Sequence, residues 1–133
     1  ICNGWQSALV PGLFKKHYEG INQFYKKIQT VLIIHELNEY ANILRKDLMD
    51  MEVPIHESLD GDSLNVYDVA SFSADHIIII DKKDEEISEE LMKYSGISAN
   101  KEKLSVIEYK YSDDEMTDFI DVANQLDKII KIV

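Results

Sequence analysis

The chain opens on the sequence Ile1-Cys2-Asn3-Gly4-Trp5-Gln6-Ser7-Ala8-Leu9-Val10-Pro11-Gly12-Leu13-Phe14-Lys15-Lys16. Its first residues predict the end of a buried strand, and Gly4 supplies the permissive backbone that the chain needs to turn into a helix. Apolar side chains then recur at helical spacing, at Ala8, Leu9, Leu13 and Phe14. A chain that begins at the end of a strand predicts a single domain, residues 1–133, whose first strand–helix unit lies upstream.

Three later apolar runs predict further strands. Residues 30–34 and 76–81 are almost continuously apolar, which is typical of parallel strands covered on both faces. Residues 104–109 alternate in part, which predicts a strand near the edge of the sheet.

Helical patterns lie between these runs and after the last of them. We predict helices over 37–51, from Asp62 or Ser63 to about Ser73, after the acidic run Asp84-Glu85-Glu86 to about Tyr94 with Gly96 as the stop, and from Asp113 or Asp114 onward. Strands that alternate with helices in this way predict an α/β fold. Its architecture is a doubly wound, mostly parallel sheet with helices on both faces, which is a Rossmann-like arrangement.

Charge and composition exclude several classes of partner and site. The chain is 45% hydrophobic and carries a net charge of −11, so we expect a globular protein that binds neither nucleic acid nor a membrane surface. The run Ile77–Ile80 is too short to span a bilayer. Cys2 is the only cysteine, which excludes an internal disulfide and a cysteine-rich metal site and favours a reducing cytoplasm. The oligomeric state is not predicted.

Ligands of parallel α/β sheets bind at the carboxyl ends of the strands. The residues found there are Asn3, His35 with Glu36, Asp81 and Lys110. Each has a structural alternative: His35 can cap a loop, Asn3 can bond its own turn, and Asp81 can start the next helix. Trp5 can stack on a sugar ring or can fill the core.

Three segments resemble one family, the bacterial glycogen synthases and plant starch synthases. Gly4–Pro11 is similar to their Asp-Trp-Gln-Thr-Ala-Leu-Val-Pro segment, with glycine in place of the aspartate. Thr30–His35 resembles their Val-Val-Phe-Thr-Ile-His-Asn strand, with Glu36 in place of the asparagine. Ser73–Ile77 resembles the start of their Tyr-Ala-Asp-His-Ile-Thr-Thr-Val-Ser segment, whose small polar end is replaced here by Ile78–Asp81.

The resemblance implies the N-terminal, acceptor-side domain of a glycosyltransferase with two Rossmann-like domains, the GT-B fold. Such enzymes transfer glucose from ADP-glucose to an α-1,4-glucan with retention, so ADP-glucose and α-glucan are the implied partners. His35 takes the place of the family's active-cleft histidine and is the implied catalytic residue. The implied substrate-binding residues are Asn3, Trp5, Glu36 and Asp81, and no cofactor or metal is implied.

Two parts of that enzyme are absent from the 133 residues: a Lys-Thr-Gly-Gly loop and the second, donor-binding domain. We therefore expect this chain alone to be inactive. A non-catalytic remnant that binds glucan or a partner is the alternative. A signalling receiver domain is a further alternative, suggested by Asp81 and Lys110 after apolar strands.

Overall fold

The computed structural model describes residues 1–82, 85–109 and 114–133. The strands are β1 (Cys2–Asn3), β2 (Val31–Ile34), β3 (Asn42–Leu44), β4 (Ser63–Asn65), β5 (His76–Lys82) and β6 (Leu104–Tyr109). The helices are α1 (Val10–Phe14), α2 (Arg45–Asp50), α3 (Val66–Ser71), α4 (Ile87–Leu91), α5 (Ser95–Ala99) and α6 (Glu115–Ile132). The predictions made for Asp84, Lys110 and Asp113 lie outside the described residues.

Within the described residues, four strands form one parallel sheet in the order β1-β2-β5-β6. Ile33 lies opposite Ile78, and Ile34 lies opposite Ile79. All four residues of β2 are buried, as continuous apolarity predicts for a central strand. At the edge strand β6, Ile107 is buried while Val106 is 45% exposed, so the predicted edge position is confirmed.

Helices cover both faces of this sheet, which confirms the predicted fold class. Side chains alternate along each strand, so Leu32 and Ile34 face one core while Val31 and Ile33 face another. Helix α3 packs its buried Val66, Tyr67 and Ala70 into the first core. Helix α6 packs against the second core through Val122, Leu126, Ile129 and Ile130.

The prediction of one helix over 37–51 is wrong. A short 3₁₀ turn at Glu39–Ala41 leads into β3, which pairs antiparallel with β4, and only then does α2 begin. The side chain of Asn38 accepts a hydrogen bond from the Tyr40 amide and so holds that turn. Arg45 donates from Nε to the Gly61 carbonyl at 2.8 Å, which ties the ribbon to its loop. Pairing with a distant segment therefore overrides the local helical spacing.

The next two helices also differ from prediction. Helix α3 begins at Val66, because residues 63–65 are used by β4, and its cap is Asn65 rather than Asp62 or Ser63. The helix predicted to end at Tyr94 is instead two short helices, α4 and α5, and Gly96 lies inside the second.

Gly96 is required for close packing, not for stopping a helix. A Cβ at this position would lie 2.6 Å from Asp68 Oδ1, and 2.7 Å from both the Asp68 carbonyl oxygen and Phe72 Cε2. The buried Asp68 carboxylate accepts hydrogen bonds from the amides of Gly96 and Ile97, at 2.6 and 3.2 Å. Helices α3 and α5 meet through this contact.

A polar cluster holds α1 against the amino ends of the strands. Asp75 contacts Lys15 Nζ at 2.5 Å and accepts from the amide and hydroxyl of Thr30, at 2.7 and 2.8 Å. Burial raises the pKa of Asp75, but these hydrogen bonds and the Lys15 charge outweigh it, so the net pKa is lowered.

This lowered pKa predicts acid-dependent stability. An aspartate in an unfolded chain has a pKa of about 3.9, and the pKa of Asp75 in the folded chain is lower. Its contribution is therefore present above the unfolded pKa and is lost as pH falls through the folded pKa.

We expect Asp75→Asn to lower the free energy of unfolding at pH 7, and the difference from the original chain to shrink at pH 3. Urea unfolding at both pH values measures this. Asp60→Asn, at an exposed loop residue, is the control, and a difference that stays constant with pH would contradict the prediction.

Candidate functional site

His35 follows the buried strand β2 at the carboxyl edge of the sheet and is exposed. It lines a hollow of about 320 Å³ whose other walls are Ile80, Tyr109, Glu115, Asp118, Phe119 and Val122. The walls are mostly apolar, and the two carboxylates make the hollow unfavourable for an anion. The imidazole therefore faces a space that suits an uncharged ligand.

The Gly4 turn lies beside His35. The Gly4 amide donates to the Ile33 carbonyl at 2.9 Å, which extends the pairing of β1 with β2. Gly4 has a φ of 71°, and a Cβ there would lie 3.7 Å from His35 Nε2 and 3.0 Å from Gln6 Oε1. A side chain at this position would be strained by the positive φ and would press on Gln6, whereas its distance to His35 would be an ordinary van der Waals contact. The glycine at this position therefore fits the positive φ of the turn and brings the turn into contact distance of His35.

Trp5 follows Gly4 directly in the chain. It fills part of the core, and one side of its ring also lies near the surface. The indole is partly buried and packs against the core that contains Leu32 and Tyr67. Its ring also lies 6.4 Å from the ring of Tyr40, at an interplanar angle of 34°. Tyr40 is 68% exposed, so this aromatic pair reaches from the core to the surface.

Glu36 is half-buried and acts on a core residue. The pKa of Tyr67 is raised to about 12, first by burial and then by the Glu36 charge, while an interaction of the phenol with the Trp5 backbone lowers it in part. The Glu36 carboxylate, at the carboxyl edge of β2, is therefore close enough to act electrostatically on the Tyr67 phenol. The sequence suggested Glu36 for this edge but did not suggest Tyr67.

Asn65 is a second residue that the sequence reasoning missed. It is buried, accepts from the Tyr67 amide at 2.9 Å, and donates to Asn42 Oδ1 at 3.2 Å and to the Tyr94 hydroxyl at 3.4 Å. An asparagine directly before a helix is an N-cap signal. That signal was available, but the cap was assigned to Asp62 or Ser63 because the helix was predicted to begin too early.

Asn3 has a local partner for its backbone carbonyl, and Asp81 has local partners for its side chain. Asn3 is exposed, and its carbonyl accepts from the Ser7 hydroxyl at 2.8 Å. Asp81 is 5% exposed, and its carboxylate accepts from the amides of Ile87 and Ser88 at 3.0 and 2.9 Å. It therefore caps α4. The hollow beside it is lined by Glu86, Ser88, Glu89 and Glu108, and neither His35 nor Trp5 lines that hollow.

Two surveys of the described residues bear on other kinds of site. No group of three or more histidine, cysteine, aspartate or glutamate side chains among them is arranged to hold a metal ion. None of the helices they form is long and apolar enough to cross a membrane.

Comparison with known proteins places these features in a family. The sequence model described as "Starch synthase catalytic domain" matches residues 1–119. Glycogen synthase of Caldicellulosiruptor bescii is 38% identical over 81 residues, which are 60% of this chain and 16% of that protein. Glycogen synthase of Caldicellulosiruptor saccharolyticus is 37% identical over 81 residues, 60% of this chain and 17% of that protein.

Glycogen synthase of Clostridium acetobutylicum is 33% identical over 82 residues, 61% of this chain and 17% of that protein. The aligned part of the chain therefore spans only 16–17% of the length of these relatives. No solved structure shows a significant match. Since the family model covers 119 of the 133 residues, the chain belongs to the starch synthase catalytic domain family.

Proposed function

We propose that this chain is the acceptor-side part of a glucosyltransferase that transfers glucose from ADP-glucose to an α-1,4-glucan with retention. The observation that carries the proposal is the meeting of His35 with the Gly4–Trp5 turn at the carboxyl edge of a parallel sheet, in a chain of this family. The relatives are glycogen synthases, which supports a glucan as the substrate class.

The proposed roles follow from the chemistry of each side chain. His35 donates or accepts a hydrogen bond at the transferred glucose, in the mostly apolar hollow it lines. Trp5 and Tyr40 present aromatic rings to the apolar face of a pyranose. Glu36 accepts from a sugar hydroxyl, and the side-chain amide of Asn3 donates to another. Asp81 is left out of the proposed site, because the capping of α4 accounts for its carboxylate.

The donor phosphates need cationic groups that neutralise them during transfer. A chain with a net charge of −11 and no Lys-Thr-Gly-Gly sequence supplies few such groups. We therefore propose that these 133 residues bind glucan but do not transfer glucose, and that transfer needs a donor-binding partner domain. A glucan- or partner-binding remnant, the second candidate, is favoured by the same lack of cationic groups.

The test is a titration with maltooligosaccharide, monitored by the fluorescence of Trp5, the only tryptophan. We expect a saturable change in Trp5 emission, and a weaker response in His35→Ala. The matched control is His17→Ala, which changes an exposed histidine beside Glu52.

Incubation with ADP-glucose and the same sugar is expected to give no longer glucan. Glucan extension by the purified chain would contradict the proposed need for a donor domain, and an unchanged emission spectrum would leave only the partner-binding alternative.

A further inference from the structure

Two buried polar atoms at this edge have no hydrogen-bond partner among the described residues. They are Nε1 of Trp5 and the hydroxyl oxygen of Tyr67. Buried polar groups in folded proteins almost always have a partner, so each such exception calls for an explanation. An unpaired buried donor costs about 1–3 kcal/mol. The two unpaired groups belong to residues of the same core, Trp5 and Tyr67. Together they indicate a place where a ligand could supply hydrogen-bond acceptors.

Both atoms are linked to His35 through adjacent residues. Trp5 follows Gly4, where a Cβ would lie 3.7 Å from His35 Nε2. Tyr67 has no exposed surface and follows Asn65, the cap of α3. Burial and then the Glu36 charge raise its pKa, while the Trp5 backbone beside the hydroxyl lowers that pKa in part. Glu36 is the residue next to His35 along the chain. The phenol therefore stays protonated at neutral pH and remains a hydrogen-bond donor.

The charge at this place selects the kind of acceptor. The Glu36 carboxylate disfavours a phosphate or carboxylate ligand beside Tyr67. A sugar hydroxyl is uncharged. Its oxygen can accept a hydrogen bond from an indole N–H or a phenol O–H, and its own O–H can donate a hydrogen bond to a carboxylate. The local chemistry thus fits a neutral polyol.

The Trp5–Tyr40 pair lies between the surface and the two unpaired atoms, so a ligand would reach them past these rings. Neither unpaired atom is exposed in this arrangement, but Trp5 is only partly buried and its neighbour Tyr40 is 68% exposed. An outward shift of the Trp5 side chain would open the space above Tyr67. Such a shift would lose packing, and hydrogen bonds to the two unpaired groups would offset that loss.

We infer that the Tyr67 hydroxyl and the indole N–H of Trp5 form a polar subsite for the hydroxyl oxygens of a glucan, which opens when Trp5 shifts outward. Tyr67 is then a specificity residue for the sugar, acting from beneath the aromatic pair. This inference rests on the proposed function, because it takes glucan as the ligand class.

The test compares the original chain with Tyr67→Phe by thermal unfolding and by Trp5 fluorescence during titration with maltooligosaccharide. Removing an unpaired buried hydroxyl is expected to raise Tm in the absence of sugar and to weaken sugar binding about fivefold. A hydroxyl with a purely structural partner would instead lower Tm when it is removed. Tyr18→Phe is the matched control, because Tyr18 is 52% exposed and lies on the helical turn that continues α1; it is expected to change neither quantity.

Each other outcome has a defined meaning. Equal sugar affinity of Tyr67→Phe and the original chain, with Trp5 still responding, would overturn the role of Tyr67 and leave the proposed function standing. A lowered Tm with unchanged affinity would assign the hydroxyl to a permanently held water and would also overturn it. No response of the original chain to sugar would overturn both. A Trp5 response to inorganic phosphate but not to maltooligosaccharide would refute the choice of an uncharged ligand.

Discussion

Replacing Gly96 with alanine is expected to lower the free energy of unfolding by about 3 kcal/mol, the upper end of the cost of overpacking. The added Cβ would lie 2.6 and 2.7 Å from Asp68 atoms, one of which is a backbone oxygen, and 2.7 Å from the Phe72 ring. Helices α3 and α5 would have to separate, which weakens the hydrogen bonds that Asp68 accepts from Gly96 and Ile97. Urea unfolding measures the loss.

Gly20→Ala is the control for that substitution. Gly20 has a right-handed helical backbone, with φ −76° and ψ −15°, and a Cβ there meets nothing within 4 Å. The unfolded chain loses freedom while the folded chain gains no clash, so we expect Gly20→Ala to stabilise by about 0.4–1 kcal/mol. Losses of similar size at both positions would show that the contact between α3 and α5 is looser than the structure gives.

The second large effect is expected from Ile34→Ala in β2. Ile34 has no exposed surface, pairs with Ile79 in the central part of the sheet, and belongs to the first core. Truncating a buried isoleucine costs roughly 2–5 kcal/mol, because the transfer free energy is lost and a cavity remains. Ile34 also precedes His35, so we expect the same variant to weaken the Trp5 response to maltooligosaccharide.

Ile132→Ala is the control for this prediction, since it removes the same atoms from a side chain that is 87% exposed. Its effect on the free energy of unfolding is expected to stay within about 0.5 kcal/mol. The comparison is made by urea unfolding of both variants and of the original chain. A loss at Ile34 as small as that at Ile132 would contradict the assignment of β2 as the buried centre of the sheet.

The structure bears on whether each candidate residue has a structural role or is available to bind a ligand. Asp81 is explained by its capping of α4. Trp5 serves the core and also reaches the surface beside Tyr40. The receiver-domain alternative loses its main residue, since both Asp81 carboxylate oxygens already accept hydrogen bonds from α4. His35 and the Gly4 turn remain together at one edge.

The sequence by itself determined the parallel sheet and its two covered faces. Continuous apolar runs such as residues 31–34 and 77–80 are stable in a sheet only when both faces are buried, and this requirement is local to the strand. The same reasoning placed His35 at the carboxyl edge, since it is the first polar residue after β2. These features depend on burial, which a one-dimensional pattern records.

Only the tertiary structure decided the β3–β4 ribbon, the role of Gly96 and the place of Tyr67. Each depends on a partner far away in the chain: residues 42–44 pair with 63–65, Gly96 packs against Asp68, and the Tyr67 hydroxyl lies near Trp5 and Glu36. Local spacing at residues 37–51 suits a helix, but the free energy of pairing and packing with distant residues exceeds such a local preference. Contacts of this kind leave no periodic signal in the sequence.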